Sequence, residues 1–264
     1  MIEYLGNEIP PIDQKLLNFA VSITRKAGRL SHKWFKNKKF EVKYKSDGSP
    51  VTMADQAAEK LLRKLITDTY PEDSIIGEEE ANVMGSSGRT WIIDPIDGTQ
   101  SFIRGVPLYG NLLAFNDNYG PAIGVINLPE LNECIWAGRG QGCFINGKPT
   151  QISNKAELSG ACVVTSGVDY WPSTDVLNRL SKENTIIRTW GDAYGWALVA
   201  TGRADAVIDP VVNEWDVAPM ITIINESGGM FTDFTGKIQT NTGTALAANP
   251  KLHPILLKII DQRL

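Results

Sequence analysis

Histidine is scarce in this chain: His32 and His253 are the only two in 264 residues. That scarcity excludes a histidine-rich zinc site. A Ser-His-Asp or Cys-His triad would have to use one of the two, and neither lies in a motif that supports it. Both read as surface or packing residues. Cysteine is sparse as well. Cys134, Cys143 and Cys162 make an odd number with no CxxC pair, which argues against a disulfide scaffold and for a reducing compartment. No apolar run approaches the roughly 18 residues needed to cross a membrane. Residues 1–14 lack the basic and then apolar pattern of a secretory signal. A soluble, cytoplasmic protein with no membrane partner is expected. There is no excess of positive charge either, and a net charge of −4 offers nothing for direct nucleic-acid binding. The one basic stretch, residues 33–39 (KWFKNKK), reads as the charged end of a helix and a solvated turn. Chemistry must therefore rest on carboxylates, hydroxyls and backbone.

What is present is an ordinary globular composition, 42% hydrophobic and 21% charged, with length for one large core or two joined lobes. Leu17, Ala20, Val21, Ala27, Leu30 and Trp34 recur at helical spacing and predict a helix over 13–36. Ser46-Asp47-Gly48-Ser49-Pro50 predicts a turn. Thr52-Met53-Ala54-Asp55 is a capping-box pattern that opens a second helix, closed by Tyr70-Pro71. Short apolar runs between turn residues predict strands at 90–94, 111–116, 122–126 and 133–138, with a hairpin turn at Asn146-Gly147. From about residue 155 strands (161–165, 185–189, 205–209, 229–233, 244–248) alternate with helices (173–182, 192–202, 215–227, 251–262). The class is α/β, in two lobes joined without a spacer, 1–152 and 153–264. Gly138-Arg139-Gly140-Gln141-Gly142 lacks the βαβ context of a nucleotide loop and reads as a glycine-rich β-turn. Gly85-Ser86-Ser87-Gly88 is expected to be a mobile loop beside Glu78.

Trp91-Ile92-Ile93-Asp94-Pro95-Ile96-Asp97-Gly98-Thr99 is an apolar strand that ends in an acid, turns at a proline and meets a second acid. Strand ends are where α/β sites collect, and Pro95 is expected to stop the ladder. Two carboxylates this close repel unless a cation lies between them, which favours a hard divalent ion. Asp-Pro and Asp-Gly are also ordinary turn dipeptides, so these nine residues leave a turn and a metal site open. Gly77-Glu78-Glu79-Glu80, Asp55 and Trp215-Asp216 add acids. Each has a bland account of its own: a solvated loop, a capping acid, and an acid complementing a helix dipole.

In this order, Pro50-Val51-Thr52-x-x-Asp55, Gly77-Glu78-Glu79, Asp94-Pro95-Ile96-Asp97-Gly98-Thr99 and Trp215-Asp216-Val217-Ala218, running to Gly228-Gly229, resemble the inositol monophosphatase family. The resemblance covers nearly the whole chain. It implies a five-layered αβαβα sandwich of the inositol monophosphatase and fructose-1,6-bisphosphatase type. It also implies two or three Mg²⁺ ions per site and hydrolysis of a small phosphomonoester. Carried over by motif, Glu78, Asp94 and the Ile96 carbonyl would hold one magnesium, and Asp94, Asp97 and Asp216 a second. Glu78 would also hold a third, weaker ion. Asp55 and Thr99 would position and help deprotonate the attacking water. Backbone N–H groups at Gly98 and Thr99 would cradle phosphate oxygens. A homodimer and lithium inhibition are expected on the same ground.

Substrate choice must come from the second half. Residues 190–205 (WGDAYGWALVATGRAD) and 101–110 (SFIRGVPLYG) resemble the histidinol-phosphatase branch of the family, although Gln100 stands where that branch has lysine. The branch implies hydrolysis of L-histidinol phosphate, in histidine biosynthesis. Histidinol phosphate carries an ammonium group and an imidazole that can be protonated, so its pocket should present acids. Asp192 and Asp209 are the candidates, with Glu214 behind them. Asp192 could instead cap a helix, and Asp209 could end a strand. Arg188 and Trp190 face the pocket only if the strand turns that side inward. Two alternatives stay open: inositol-1-monophosphatase or a broad sugar or nucleotide phosphatase, and a regulatory protein binding RNA-associated machinery.

Overall fold

The computed structural model describes residues 9–37, 42–44 and 50–261. The turn expected at 46–49, Lys38-Lys39 of the basic stretch and residues 1–8 lie outside the described residues. Helices α1 (Gln14–Asn37) and α2 (Met53–Thr69) come first, with the two-stranded sheet of β1 (Val42–Tyr44) and β2 (Pro50–Thr52) between them in the chain. Seven strands then form one sheet in chain order: β3 (Ser74–Gly77), β4 (Thr90–Asp97), β5 (Gly110–Asp117), β6 (Gly120–Leu128), β7 (Glu133–Gly138), β8 (Gly142–Ile145) and β9 (Lys148–Thr150). The second half supplies a five-stranded sheet in the order β11 (Ile186–Arg188), β10 (Cys162–Val164), β12 (Ala206–Asp209), β14 (Ala245–Ala248), β13 (Met230–Thr232). The remaining helices are α3 (Thr99–Ile103), α4 (Asp175–Lys182), α5 (Asp192–Ala200), α6 (Glu214–Glu226) and α7 (His253–Asp261).

Hydrophobic patterning dictates the layering. The outer helix α1 is amphipathic, burying Leu17, Ala20, Ile23, Ala27 and Phe35 along one side. With α2 it covers one face of the seven-stranded sheet, closing a core that includes Trp91 and Phe115. By contrast α5 and α6 are apolar on all sides: residues 195–200 and 217–224 are buried without a break. Only a layer between two sheets hides such helices, and that is where both lie. Finally, α4 and α7 cover the outer face of the five-stranded sheet. The order is αβαβα, as the resemblance implies.

Three expectations need correction. The strand expected to end at Asp94 runs on to Asp97, because a β-bulge between Asp94 and Asp97 lets the chain rejoin β5 at Gly110. Pro95 sits in that bulge, where its missing N–H breaks no ladder bond. The sheet holding the acids is antiparallel except for β3 and β4, so no parallel-sheet crevice forms the site. The 85–88 loop is pinned at the far end of β3 from Glu78: the Gly85 N–H donates to Ser74 Oγ and the Ser87 hydroxyl to Asp73.

Helix α6 crosses β6 very closely at Gly124, where an added Cβ would lie 2.1 Å from the Pro219 carbonyl oxygen. Gly124→Ala should therefore force sheet and helix apart and lower stability by about 1–3 kcal/mol. Urea unfolding midpoints would measure it, and an unchanged midpoint would contradict this packing.

Candidate active site

Four elements converge on one cluster of acids. The bulge in β4 delivers Asp94 and Asp97. The first turn of α6 brings Asp216, and one carboxylate oxygen from each of the three lies within 4.8 Å of the others. Glu78 follows β3 and Asp55 opens α2, both near enough to act on the Asp94 charge. Past the bulge, the Thr99 hydroxyl donates to the Ile96 carbonyl at 3.0 Å, and Gly98 takes a left-handed φ of 81° that starts α3.

Asp55 and Asp216 share one local design. Each is the third residue of its helix in a capping box. The Thr52 N–H and hydroxyl donate to Asp55 Oδ2 at 2.8 and 2.5 Å. The Asn213 N–H donates to Asp216 Oδ2 at 2.7 Å. One oxygen of Asp55 thus holds the helix end, while its Oδ1 is buried without a hydrogen-bond partner.

Burial, followed by mutual repulsion, sets the proton affinities. Burial lifts Asp94 and Asp97 well above the usual carboxylate range, and neighbouring acids push the same way. Burial raises Asp216 to about 7 and Asp55 to about 6, against their capping hydrogen bonds. Asp94 Oδ1 and Asp97 Oδ2 are also buried without a partner.

The cluster opens into a cavity of about 780 Å³ lined by Glu78, Asp94, Ile96, Asp97, Gly98 and Thr99 on one side. Across it stand Ser166, Tyr170, Trp190, Asp192 and Asp209. Asp192 begins α5 with a left-handed φ of 53°, unusual for a residue with a Cβ. Its carboxylate lies beside Gly98, where an added Cβ would be 3.3 Å from Asp192 Oδ2. Asp209 Oδ1 accepts from the Thr165 hydroxyl and the Ser166 N–H, its Oδ2 is buried without a partner, and burial raises it to about 7.

Arg188 does not itself line this cavity: it is exposed on edge strand β11, donates to the Ile187 carbonyl, and lies over the ring of Trp190, which does line it. Glu214 lines a different, smaller pocket of about 320 Å³. Neither histidine takes part: His253 is buried against Thr232, and His32 pairs with Glu130. Sequence reasoning missed Glu59, which is fully buried. Its Oε2 accepts the Glu79 N–H at 2.8 Å and its Oε1 the Glu80 N–H at 3.1 Å. Arg63 Nε donates to the same carboxylate at 2.7 Å, so α2 holds the loop that carries Glu78. The signal was available: Asp55, Glu59 and Arg63 recur at i, i+4 and i+8, one helix face that also buries Ala58, Leu62 and Ile66.

Buried carboxylate oxygens without donors, in a set made only of oxygen ligands, fit hard divalent cations. The comparisons agree with that chemistry. The profile of the inositol monophosphatase family matches residues 12–264. A histidinol-phosphatase from Chlorobaculum parvum is 41% identical over 235 residues, covering 88% of this chain and 91% of that one. A fructose-1,6-bisphosphatase/inositol-1-monophosphatase from Thermotoga maritima is 33% identical, covering 93% of this chain and 96% of that one. Among solved structures, the extragenic suppressor protein suhB from Bartonella henselae superposes with a TM-score of 0.90 at 27% identity, over 95% of this chain and 100% of that one. With its acids gathered at one cavity and the family profile matched along nearly its whole length, the chain belongs to the inositol monophosphatase family of phosphatases.

Proposed function

We propose that the chain hydrolyses L-histidinol phosphate to L-histidinol and phosphate with magnesium as cofactor. The observation that carries the proposal is a cavity with two different walls: a cluster that fits cations on one, and on the other Asp209 together with Asp192, whose carboxylate reaches over to Gly98. A phosphate belongs at the first wall and an ammonium group at the second. An ammonium group offers Asp209 Oδ2 an opposite charge as well as a donor, whereas a polyol hydroxyl offers the donor alone, which favours the cationic substrate over inositol phosphate. The 41% identity to a histidinol-phosphatase supports the same choice.

Glu78, Asp94, the Ile96 carbonyl, Asp97 and Asp216 would hold two or three Mg²⁺ ions. Magnesium, when bound, supplies charge to polarise the phosphoryl group and to acidify water. The protein's own groups do the rest. Asp55, whose Oδ1 is free of hydrogen bonds, takes the proton from the attacking water. Thr99, whose hydroxyl is oriented by the Ile96 carbonyl, places its oxygen beside the water. The Gly98 and Thr99 N–H groups receive phosphate oxygens. Asp192 and Asp209 orient the amino alcohol.

Asp94→Asn and Asp216→Asn should each lower kcat by more than about 10²-fold in saturating magnesium. Each should also raise the melting temperature of the metal-free protein at pH 8, since one repelling buried charge is gone. Either variant with near wild-type kcat would contradict the assignment.

Metal-free stability should depend on pH with a definite sign. Asp55, Asp209 and Asp216 keep their protons up to about 6, 7 and 7 in the fold, against 3.8 for an ordinary aspartate. The folded state therefore binds more protons than the unfolded chain across that window, and stability falls as pH rises from about 4 to 7. Saturating magnesium should flatten the fall. Melting curves in EDTA and in magnesium would check both, and a metal-free stability that rises through this window would refute the burial of uncompensated acids.

For the substrate wall, Asp192→Asn keeps a residue type that tolerates left-handed backbone while removing the charge. It should raise KM for histidinol phosphate by about tenfold and leave KM for p-nitrophenyl phosphate nearly unchanged. Equal effects on both substrates, or wild-type turnover of inositol 1-phosphate far exceeding that of histidinol phosphate, would defeat the substrate assignment.

A further inference from the structure

The bulge in β4 leaves a gap in the hydrogen-bond ladder. Asp94 pairs with Leu112 and Asp97 with Gly110, so Pro95 and Ile96 together face the single residue Asn111. The Ile96 carbonyl is served by the Thr99 hydroxyl. The Pro95 carbonyl is served by a side chain instead of a strand: Asn111 Nδ2 donates to it at 2.6 Å.

That amide is fully buried and every part of it is used. Its Oδ1 accepts from Asn127 Nδ2 at 3.1 Å, and its Nδ2 also donates to Ser31 Oγ at 3.2 Å. The Ser31 hydroxyl donates in turn to the Gly28 carbonyl. Helix α1 comes this close because residue 28 is glycine; a Cβ there would lie 2.0 Å from Asn127 Nδ2 and 2.9 Å from Asn111 Oδ1. Asn127 fixes which way the Asn111 amide points, so its N–H faces Pro95 and not its oxygen.

We infer that Asn111 is a positioning residue for the metal loop, replacing the ladder bond lost at the bulge and thereby fixing the spacing of Asp94 and Asp97. The inference rests on the proposed reading of those acids as magnesium ligands. Without the donor, the Pro95 carbonyl is buried unpaired and the peptide between the two ligands is free to rotate. The ligands themselves stay in place in the sequence, so the loss should fall on metal affinity and not on the chemical step at saturating metal.

The test compares wild type with Asn111→Leu, the milder Asn127→Ala, and Asn249→Leu. Asn249 is a buried amide that donates to the Ser153 and Lys155 carbonyls and does not line the active cavity, so it controls for general destabilisation. Calorimetric titration of metal-free protein with MgCl₂, and the melting-temperature gain in MgCl₂, are read beside kcat. Asn111→Leu should weaken magnesium binding by about 10-fold or more, with kcat at saturating magnesium within a few-fold of wild type. Asn127→Ala should shift affinity less, in the same direction, and Asn249→Leu not at all. Wild-type magnesium affinity in a folded Asn111→Leu or Asn127→Ala protein would overturn the inference, as would an equal shift in Asn249→Leu. If wild type itself gains nothing from magnesium, the metal reading falls and the inference with it, a result distinct from either of those.

Discussion

Five acids of one sign gathered where little water reaches are the constraint around which the rest of this structure is arranged. Asp55 and Asp94 are almost wholly buried, and Asp97, Asp216 and Glu78 crowd the same space. Left alone, such a cluster pushes itself apart or takes up protons, and burial moves its pKa values in that direction. Hydrophobic packing is non-directional and cannot aim a carboxylate. Directional bonds do that instead: Asp55 and Asp216 are tied to the backbone at their helix starts, Asp94 and Asp97 are carried on the bulged ladder of β4, and the backbone after Glu78 is held by Glu59, so three layers of the sandwich contribute.

The economy lies in how carboxylate oxygens are divided. Asp55 and Asp216 each use one oxygen to close the end of a helix; Asp216 lines the cavity, and the second oxygen of Asp55 is buried without a partner behind it. The residue that sets a helix's starting point is then also the residue the helix delivers, and the two cannot drift apart. Glu59 goes further and gives both oxygens to the backbone around Glu78, supporting a site acid from behind. At the other end of α6, Glu226 accepts the N–H groups of Gly140 and Gly142 in the turn between β7 and β8. That helix is therefore anchored to the seven-stranded sheet at its C-terminus while its N-terminus carries Asp216. Gly124 completes the arrangement by letting its middle lie against β6.

How much of this could be read in the sequence follows from the range of each interaction. The capping box of Asp55 and the run from Asp94 to Thr99 are local, and both were legible as patterns, although a turn and a metal site looked alike until the acids were taken together. The bulge was not legible. Proline argued for the end of a strand, yet β4 regains pairing at Asp97, opposite Gly110 and three residues past the end expected at Asp94; only the partner strand decides that. Helices α5 and α6 were visible as apolar segments, but that they lie between two sheets depends on sheets formed by the whole chain. Arg188 looked able to face the cavity because strand alternation offers either side; it pairs with Val164 of the inner core and lies over Trp190 at the cavity, but its side chain is exposed and does not itself line it. Asn111 carried no motif and Glu59 only its place on the Asp55, Glu59 and Arg63 face of α2, since their work is to bond backbone far away in sequence.

The same distinction separates the two walls of the cavity. On the metal side the geometry is set by backbone hydrogen bonds, so a short stretch of sequence nearly determines it. On the other wall Asp192 and Asp209 come from the start of a helix and the end of a strand, brought together by Ser166: its hydroxyl accepts the Asp192 N–H at 3.2 Å, and its own N–H donates to Asp209 at 2.6 Å. Gly191 permits that approach, since a Cβ there would lie 2.0 Å from the Ser166 Cα. The left-handed backbone of Asp192 is the local cost of presenting a carboxylate beside Gly98. Burying both raises their proton affinity, and the Asp192 charge beside Gly98 adds to the repulsion on Asp97 and Asp216. On the proposed reading the alcohol part of the substrate brings a positive charge of its own, and a cation at that wall would offset the burial of Asp209 just as bound metal would offset the burial of Asp94.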